Sequence, residues 1–397
     1  MKKSPLLILF FTVLIDLIGF GLVLPLLPNY AREMGASSFE IGLIASAYSF
    51  MQFFFAPAWG SLSDRIGRRP VILISVATSA FSYFFFSQAN TILLLLLSRI
   101  LAGIGSANVG VTQAYITDIS DSSTRSKSLG ILGAAFGLGF VLGPPIGGLI
   151  KTYYGGAAVG YSAALITLLD FGLAYFLLPE SLTEKRNTEI SFNPFHGEKL
   201  AAMFRFPAVN RLYLTSFCFV FAFVNMQITI PLLWKEKYSF SDADIGFLFS
   251  MIAVVSVVVQ GGLIGKLVRI FGERKLLPIG LALMLLGIGF LPFVPASKFL
   301  SYGSLTLIIL ALGNGLCNPI NTSLVSLYTP KDAQGEILGV LQSVGSLGRV
   351  IAPFTGSLLY GIDLHAPYLT GSLSLFIGLI VSFSLASFEL NHIKEAV

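Results

Sequence analysis

Polar residues along this chain do not alternate with apolar ones at short range; they break it into long apolar runs. Twelve runs reach the roughly 20 residues that a helix needs to cross a bilayer core. They lie at 6–28, 40–62, 71–88, 92–117, 127–150, 159–178, 209–233, 244–265, 277–295, 302–327, 337–360 and 367–388. The pattern predicts an all-α membrane protein of twelve transmembrane helices. The polar segment from Glu180 to Pro207, with Glu184-Lys185-Arg186 and Asn193-Pro194, divides the runs six and six. We expect a six-helix bundle over 1–179, a cytoplasmic linker over 180–208 and a second bundle over 209–397. Lys2-Lys3 before the first run resembles a signal peptide. That run contains Asp16, continues to Pro28 and lacks a small-residue cleavage site, so it reads as the first span.

The two halves repeat one another. A charged turn, Gly60-Ser-Leu-Ser-Asp64-Arg65-Ile-Gly67-Arg68-Arg69-Pro70, follows the second run. A counterpart, Gly265-Lys266-Leu-Val-Arg269-Ile-Phe-Gly272-Glu273-Arg274-Lys275, follows the eighth. Pro25 with Pro231, Gly67 with Gly272, Gly103 with Gly313 and Pro144 with Pro353 keep nearly one offset, roughly two hundred residues. Self-similarity at fixed offset in an apolar chain marks a transporter built from two related bundles. A channel or membrane enzyme has no comparable need for matched halves.

Composition agrees. Hydrophobic residues make up 55% and charged residues 11%, whereas a soluble chain is about a quarter charged. Phe (35) suits a lipid-facing surface, and Gly (40) lets transmembrane helices approach or bend. The net charge of +5 does not point to nucleic acid, because the bases sit scattered in loops. With the N-terminus inside, only Arg32, Lys151, Lys235, Lys237 and Lys298 of the loop bases fall outside. The rest, from Lys2 to Lys394, are cytoplasmic, as the positive-inside rule requires, and so are both termini. Cys218 and Cys317 lie in apolar runs and offer neither a disulfide framework nor metal-ligand spacing. No metal, cofactor or enzyme activity is expected, since no nucleophile–base pair or metal cluster occurs. A receptor or scaffold would need a larger extramembrane domain.

Candidate chemistry falls in four places. Arg65, Arg68 and Arg69 in the Gly60 turn can reach Asp118 and Asp121 after the fourth run, while Asp64 stands near the next helix start, where a carboxylate complements the dipole. The turn is either a solvated loop that sets orientation or a charge latch. The second copy has Arg269 where Asp64 stands. In the fifth run Gly139, Gly143, Pro144, Pro145, Gly147 and Gly148 offer a smooth face and a bend, repeated sparsely in the eleventh. Close helix packing alone also explains those glycines. Asp16, Arg99, Asp170 and Arg349 are ionisable and deep in runs, which costs at least a few kcal/mol each. If the first and fourth runs are neighbours, Asp16 and Arg99 pair. That pair is either a fixed structural bridge or a proton carrier, because desolvation favours the neutral carboxyl and the cation favours the carboxylate. None of His196, His365 or His392 is deep in a run, so proton exchange falls to carboxylates. Asp170 is the second candidate, and bonding to an adjacent helix is its alternative. Arg349 stands where the first copy has Phe140, and reads as a structural cation or a contact for an anionic cargo head. Finally Asn108, Gln113 and Tyr115, Asn225 and Gln227, and Asn314, Asn318 and Asn321 read either as interhelical hydrogen bonding or, with Phe20, Tyr48 and Met226 as apolar companions, as the wall of a water-filled substrate cavity between the halves.

These residues resemble the major facilitator superfamily, and within it the twelve-span drug:proton antiporters related to the tetracycline exporters. The resemblance spans nearly the whole chain. It is carried by Asp16-Leu-Ile-Gly19-Phe-Gly21 with Pro25 and Pro28, by Gly60 to Pro70, by Arg99-Ile-Leu-Ala-Gly103, and by Gly143-Pro144-Pro145 with Gly147-Gly148. It implies the major facilitator fold, with spans 1, 4, 7 and 10 lining the cavity. It also implies a cytoplasmic charge relay of Asp64, Arg68 and Asp118, and an Arg99 that assists proton movement. The expected function is proton-coupled multidrug efflux of amphipathic small molecules by alternating access. A transporter of lipids, lysolipids, glycolipids or anionic metabolites is the alternative, and a non-transporting receptor or scaffold a remote one. The expected setting is the cell membrane, a bacterial inner membrane, with the protein a monomer whose partners are its cargo, protons and the lipid bilayer. Runs 3 and 9 contain no acidic residue, where the tetracycline exporters carry functional carboxylates, which speaks against tetracycline–metal export.

Overall fold

The computed structural model describes residues 5–106, 109–121, 125–182, 190, 192, 206–330 and 333–387. Among the sites expected from sequence, Asn108, most of the 180–208 linker with Lys185, Arg186, Lys199 and Arg205, and the bases Lys2, Lys3, Lys331 and Lys394 lie outside the described residues. Among the described residues, twelve helices are long and apolar enough to cross a membrane. In chain order, spans 1 to 6 are Pro5–Glu33, Ser38–Ile66, Arg68–Ser87, Ile92–Ile119, Ser128–Tyr154 and Gly156–Leu177. Spans 7 to 12 are Pro207–Tyr238, Asp242–Phe271, Glu273–Phe293, Ala296–Leu327, Ile337–Ile362 and Ala366–Phe383. Each of the twelve apolar runs is one of these helices.

Several ends follow from local chemistry. Ser37 accepts from the Glu40 amide while the Glu40 carboxylate accepts from the Ser37 amide, a reciprocal cap that starts span 2. Thr91 caps span 4 through the Leu94 amide. The turn expected over 60–70 is nearly all helix: span 2 runs to Ile66, span 3 starts at Arg68, and only Gly67 lies between. Gly67 has φ 118° and its repeat partner Gly272 φ 74°, a region that disfavours any side chain with a Cβ. The matched glycines therefore make the same tight reversal twice.

Two compact units emerge. The first holds Met1–Pro194 and Ser239–Ser250, the second Phe195–Tyr238 and Met251–Val397. Within the first, span 1 packs on spans 5 and 6, and span 3 on spans 4 and 6. Within the second, span 7 packs on spans 11 and 12, and span 9 on spans 10 and 12. Adding six to each span number carries one pattern onto the other, so the sequence repeat is a repeat of packing. In the first unit Ile8 and Leu9 of span 1 meet Val71, Ile72 and Val76 of span 3 and Tyr115 and Ile116 of span 4 in one buried core.

The boundary differs from the expected one, because residues 239–250, leading into span 8, belong to the first unit. Glycines explain the closeness. A Cβ on Gly148 would lie 3.0 Å from Ala243 Cα, and one on Gly246 would lie 2.9 Å from Pro145 Cα. The other motif glycines face span 1: a Cβ on Gly143 would lie 2.7 Å from Gly21 Cα, Gly147 meets the Leu22 backbone and Gly139 meets Leu17. Pro144 and Pro145 sit inside one continuous helix, Arg125–Tyr154. The motif is thus a packing surface, and the expected bend does not interrupt the helix.

Candidate functional site

Arg68 gathers a charge network at the Gly67 end of the first unit. Its guanidinium bonds Asp64 (2.6 Å) one turn back on span 2, Asp118 (3.2 Å) near the end of span 4, and Ser63 Oγ (2.5 Å). Asp64 therefore does not cap span 3. It closes span 2, and the cap on span 3 is Glu180, whose carboxylate accepts from the Arg68 (2.9 Å) and Arg69 (3.2 Å) amides. Glu180 also accepts from the Ser181 and Leu182 amides, and Ser181 Oγ donates to Asp118. Arg69 donates to the Tyr175 carbonyl (2.6 Å), and Arg65 is exposed. The second unit answers differently: at its Gly272 turn Ser323 donates to Glu273 (2.6 Å) and Arg274 stacks on Tyr328.

Deeper in the first unit the expected Asp16–Arg99 pair is not formed. Among the described residues no cation lies within 4 Å of Asp16, and no acid within 4 Å of Arg99. Arg99, 2% exposed, lies 5.0 Å from the centroid of the Tyr48 ring, a cation–π contact that replaces a counter-ion. Tyr48 stacks on Phe20 (5.0 Å), which meets the edge of Phe140 (5.9 Å). Asp16 instead has Asp170 of span 6 as its charged neighbour, and Tyr83 of span 3 stands within electrostatic reach of both Asp16 and Arg99. Asp16 is enclosed by protein in depth yet keeps some accessible surface, whereas Asp170 has none.

The remaining cavity candidates divide by exposure. Gln113 in span 4 and Asn318 in span 10 are exposed, and Gln227 and Asn314 are half-buried. Tyr115 leaves the set: it is fully buried in the core, and its hydroxyl is spent on the Pro179 carbonyl (2.6 Å). Asn225 and Met226 are likewise buried, with Asn225 pressed against Gly356 of span 11. Asn321 is 1% exposed, so it does not share an open face with Asn318. Arg349 is half-buried and donates to Ser346 Oγ one turn back (3.0 Å).

Several participants carry little or no signal in the sequence. In span 4 the helix from Ile92 ends at Gly105, with Ser106 as its cap. The carbonyls released there are met by Trp59 on Ile104 (2.7 Å), Gln52 on Ser106 (3.2 Å) and Ser75 on Gly105. Carbonyls at a helix end within the membrane need such partners, and Gly103-Ile-Gly105-Ser106 was their only signal. Lys151, read as an outer loop base, is buried and bonds Glu33 (3.0 Å) and Asp242 (3.1 Å). Glu180, Thr12, Tyr83 and Thr167 carried no local signal at all.

Twelve apolar helices in two units of repeated packing, with charged side chains held inside, define a multi-pass membrane transporter. The model of the Major Facilitator Superfamily matches residues 9–353, and the chain belongs to that family, one of transporters rather than enzymes. It is 30% identical to the major facilitator superfamily domain-containing protein 10 of Bos taurus, covering 89% of this chain and 86% of that one. It is also 30% identical to the class C tetracycline resistance protein of Escherichia coli, covering 90% of each. Among solved structures, the human organic anion transporter MFSD10 (TETRAN) matches with a TM-score of 0.70 at 26% identity, covering 96% of this chain and 100% of that one.

Proposed function

We propose that this protein is a proton-coupled antiporter that exports amphipathic small molecules by alternating access. The observation that carries the reading is Asp16, a carboxyl at mid-depth of span 1 with no cation in ion-pair range among the described residues. An acid in that position gains and loses a proton as its surroundings change, which an acid locked to an arginine does not. The similarity to a tetracycline resistance protein supports efflux as the direction. Arg68, with Asp64 and Asp118, is the latch of the cycle, and the exposed Gln113 and Asn318 meet cargo or water rather than lipid. The setting is a bacterial inner membrane with both termini cytoplasmic and a monomer as the working unit.

The test is transport in proteoliposomes under an imposed pH gradient, with dyes, organic anions and lysolipids as cargo. Asp16→Asn keeps shape and removes titration. It should abolish gradient-driven transport while leaving cargo binding within a few-fold, and uphill transport by Asp16→Asn would reject the reading. A second reading, anionic cargo, is favoured by Arg99, a buried cation without an acid in range. The similarity to an organic anion transporter supports it. Under that reading Arg99→Ala and Arg349→Ala weaken anionic cargo far more than cationic dyes.

A further inference from the structure

We propose that Asp16 and Asp170 form one proton-binding unit, a carboxyl pair between spans 1 and 6 that holds a single exchangeable proton. The proposal rests on the reading of Asp16 as the coupling group and names its working partner.

The geometry is a meeting of two helix faces. Thr12, Asp16 and Gly19 follow one another at helical spacing along span 1, and Thr167 and Asp170 do so along span 6. Span 1 packs on span 6, and span 6 on span 3. A Cβ on Gly19 would lie 3.1 Å from the Tyr83 ring, 3.3 Å from its hydroxyl and 3.4 Å from Thr167 Oγ1. The missing side chain at Gly19 thus lets both hydroxyls close on span 1 beside Asp16. Thr12, one turn from Asp16, stands near Asp170 without hydrogen-bonding it. Asp170 and Thr167 have no accessible surface and Thr12 has 2%. Both Asp170 oxygens and the hydroxyls of Thr12 and Thr167 make no hydrogen bond within the described residues.

So many unsatisfied polar atoms in one buried place need a reason, because each costs on the order of 1–3 kcal/mol. Two neighbouring carboxylates in a low dielectric do not both stay ionised; they share a proton. With that proton in place only one carboxyl carries charge, and the threonine and tyrosine hydroxyls are free to donate to it. Uptake adds one proton to one carboxylate oxygen, release removes it, and no other bond changes. The titratable and charged groups facing the pair are Tyr83 from span 3 and, beyond it, Arg99 of span 4 with Tyr48 of span 2. Span 5, which also packs on span 1, sets Gly139 and Gly143 against it and Phe140 on the edge of Phe20, none of them titratable.

Infrared titration of carboxyl absorption in proteoliposomes tests this without knowledge of the cargo, alongside gradient-driven transport and gradient-free cargo exchange. In Asp170→Asn the remaining Asp16 should bind its proton about tenfold more weakly, since a like-charged neighbour is gone. Gradient-driven transport should fall as far as in Asp16→Asn, the double variant should be no worse than either, and gradient-free exchange should persist in all three. Thr12→Val, which removes a donor to the charged state, should shift proton binding the opposite way, several-fold tighter. It keeps the test open if Asp170→Asn does not fold. If Asp170→Asn leaves both Asp16 titration and uphill transport unchanged, the pair is overturned while Asp16 as carrier stands. Uphill transport by Asp16→Asn would instead remove the underlying reading. A titration that moves with sodium concentration at fixed pH would show a metal ion in place of the proton and overturn the proposal.

Discussion

At the scale of single residues, Arg68 shows how one side chain is asked to do several things. It bonds two acids and a serine from different spans, and its own amide joins Glu180. Lysine would keep the charge and lose the planar fork. Arg68→Lys should therefore cut turnover at least tenfold with insertion intact, measured as initial efflux rate per reconstituted protein. Asp64→Asn leaves Arg68 one formal partner, Asp118, and should reduce turnover by a similar factor; normal turnover would return this end to an orientation-setting role. Glu180→Ala removes the acceptor for the first amides of span 3 and should cost about 1 kcal/mol of stability, a typical cap deletion. Lowered half-inactivation temperature in detergent would register it. Arg68, Asp64 and Asp118 were legible because charges are rare in this chain and cluster at one turn. Glu180 was not, since an acid at the start of a polar segment resembles any other surface carboxylate until the chain folds back to Gly67. Tyr83 was hidden in the same way, as one ring among the phenylalanines of span 3.

At the scale of elements, the twelve helices were readable because lipid offers no alternative to length and apolarity. Their packing faces were harder to read. The glycines of span 5 announced close approach but not the partner, and the structure divides them between span 1 and residues 239–250. Helix partners depend on which faces meet after folding, and a spacing of four serves any neighbour. The division gives a graded prediction. Gly143→Ala places a methyl 2.7 Å from Gly21 Cα, where only backbone can yield. It should cost about 1–3 kcal/mol, the usual price of overpacking. Gly130→Ala meets nothing within 4 Å and should be neutral or slightly stabilising. Thermal inactivation of the two purified variants would check the contrast, and equal behaviour would remove the packing account. The partners of the carbonyls at the Gly105 helix end were illegible for another reason: the donors, Gln52, Trp59 and Ser75, come from spans 2 and 3.

At the scale of the whole molecule, the repeat was legible in sequence and recurs as packing, yet the two copies are not chemically equal. Arg68 is answered by Glu273, Asp64 by Arg269 and Phe140 by Arg349, so the fold is kept while charges are redistributed. What both copies share is a crowd of bases at the glycine reversal: Arg65 and Arg69 in one, Lys266, Arg269, Arg274 and Lys275 in the other. Six crossings separate the two turns, and under the proposed topology, in which the positive-inside rule sets orientation, both face the cytoplasm. Lys298, at the start of span 10, then lies outside. Arg65 and Lys298 are both exposed, and the native Cys218 and Cys317 are buried, so single cysteines introduced at these positions report without background. Arg65→Cys should resist a membrane-impermeant maleimide in intact cells and react in inside-out vesicles, and Lys298→Cys should do the reverse. Labelling of Arg65→Cys from outside the cell would invert the topology. The direction of antiport would survive, because cargo moves against the proton flow whichever way the protein faces, but the Arg68 network with Asp64 and Asp118 would then face the outside.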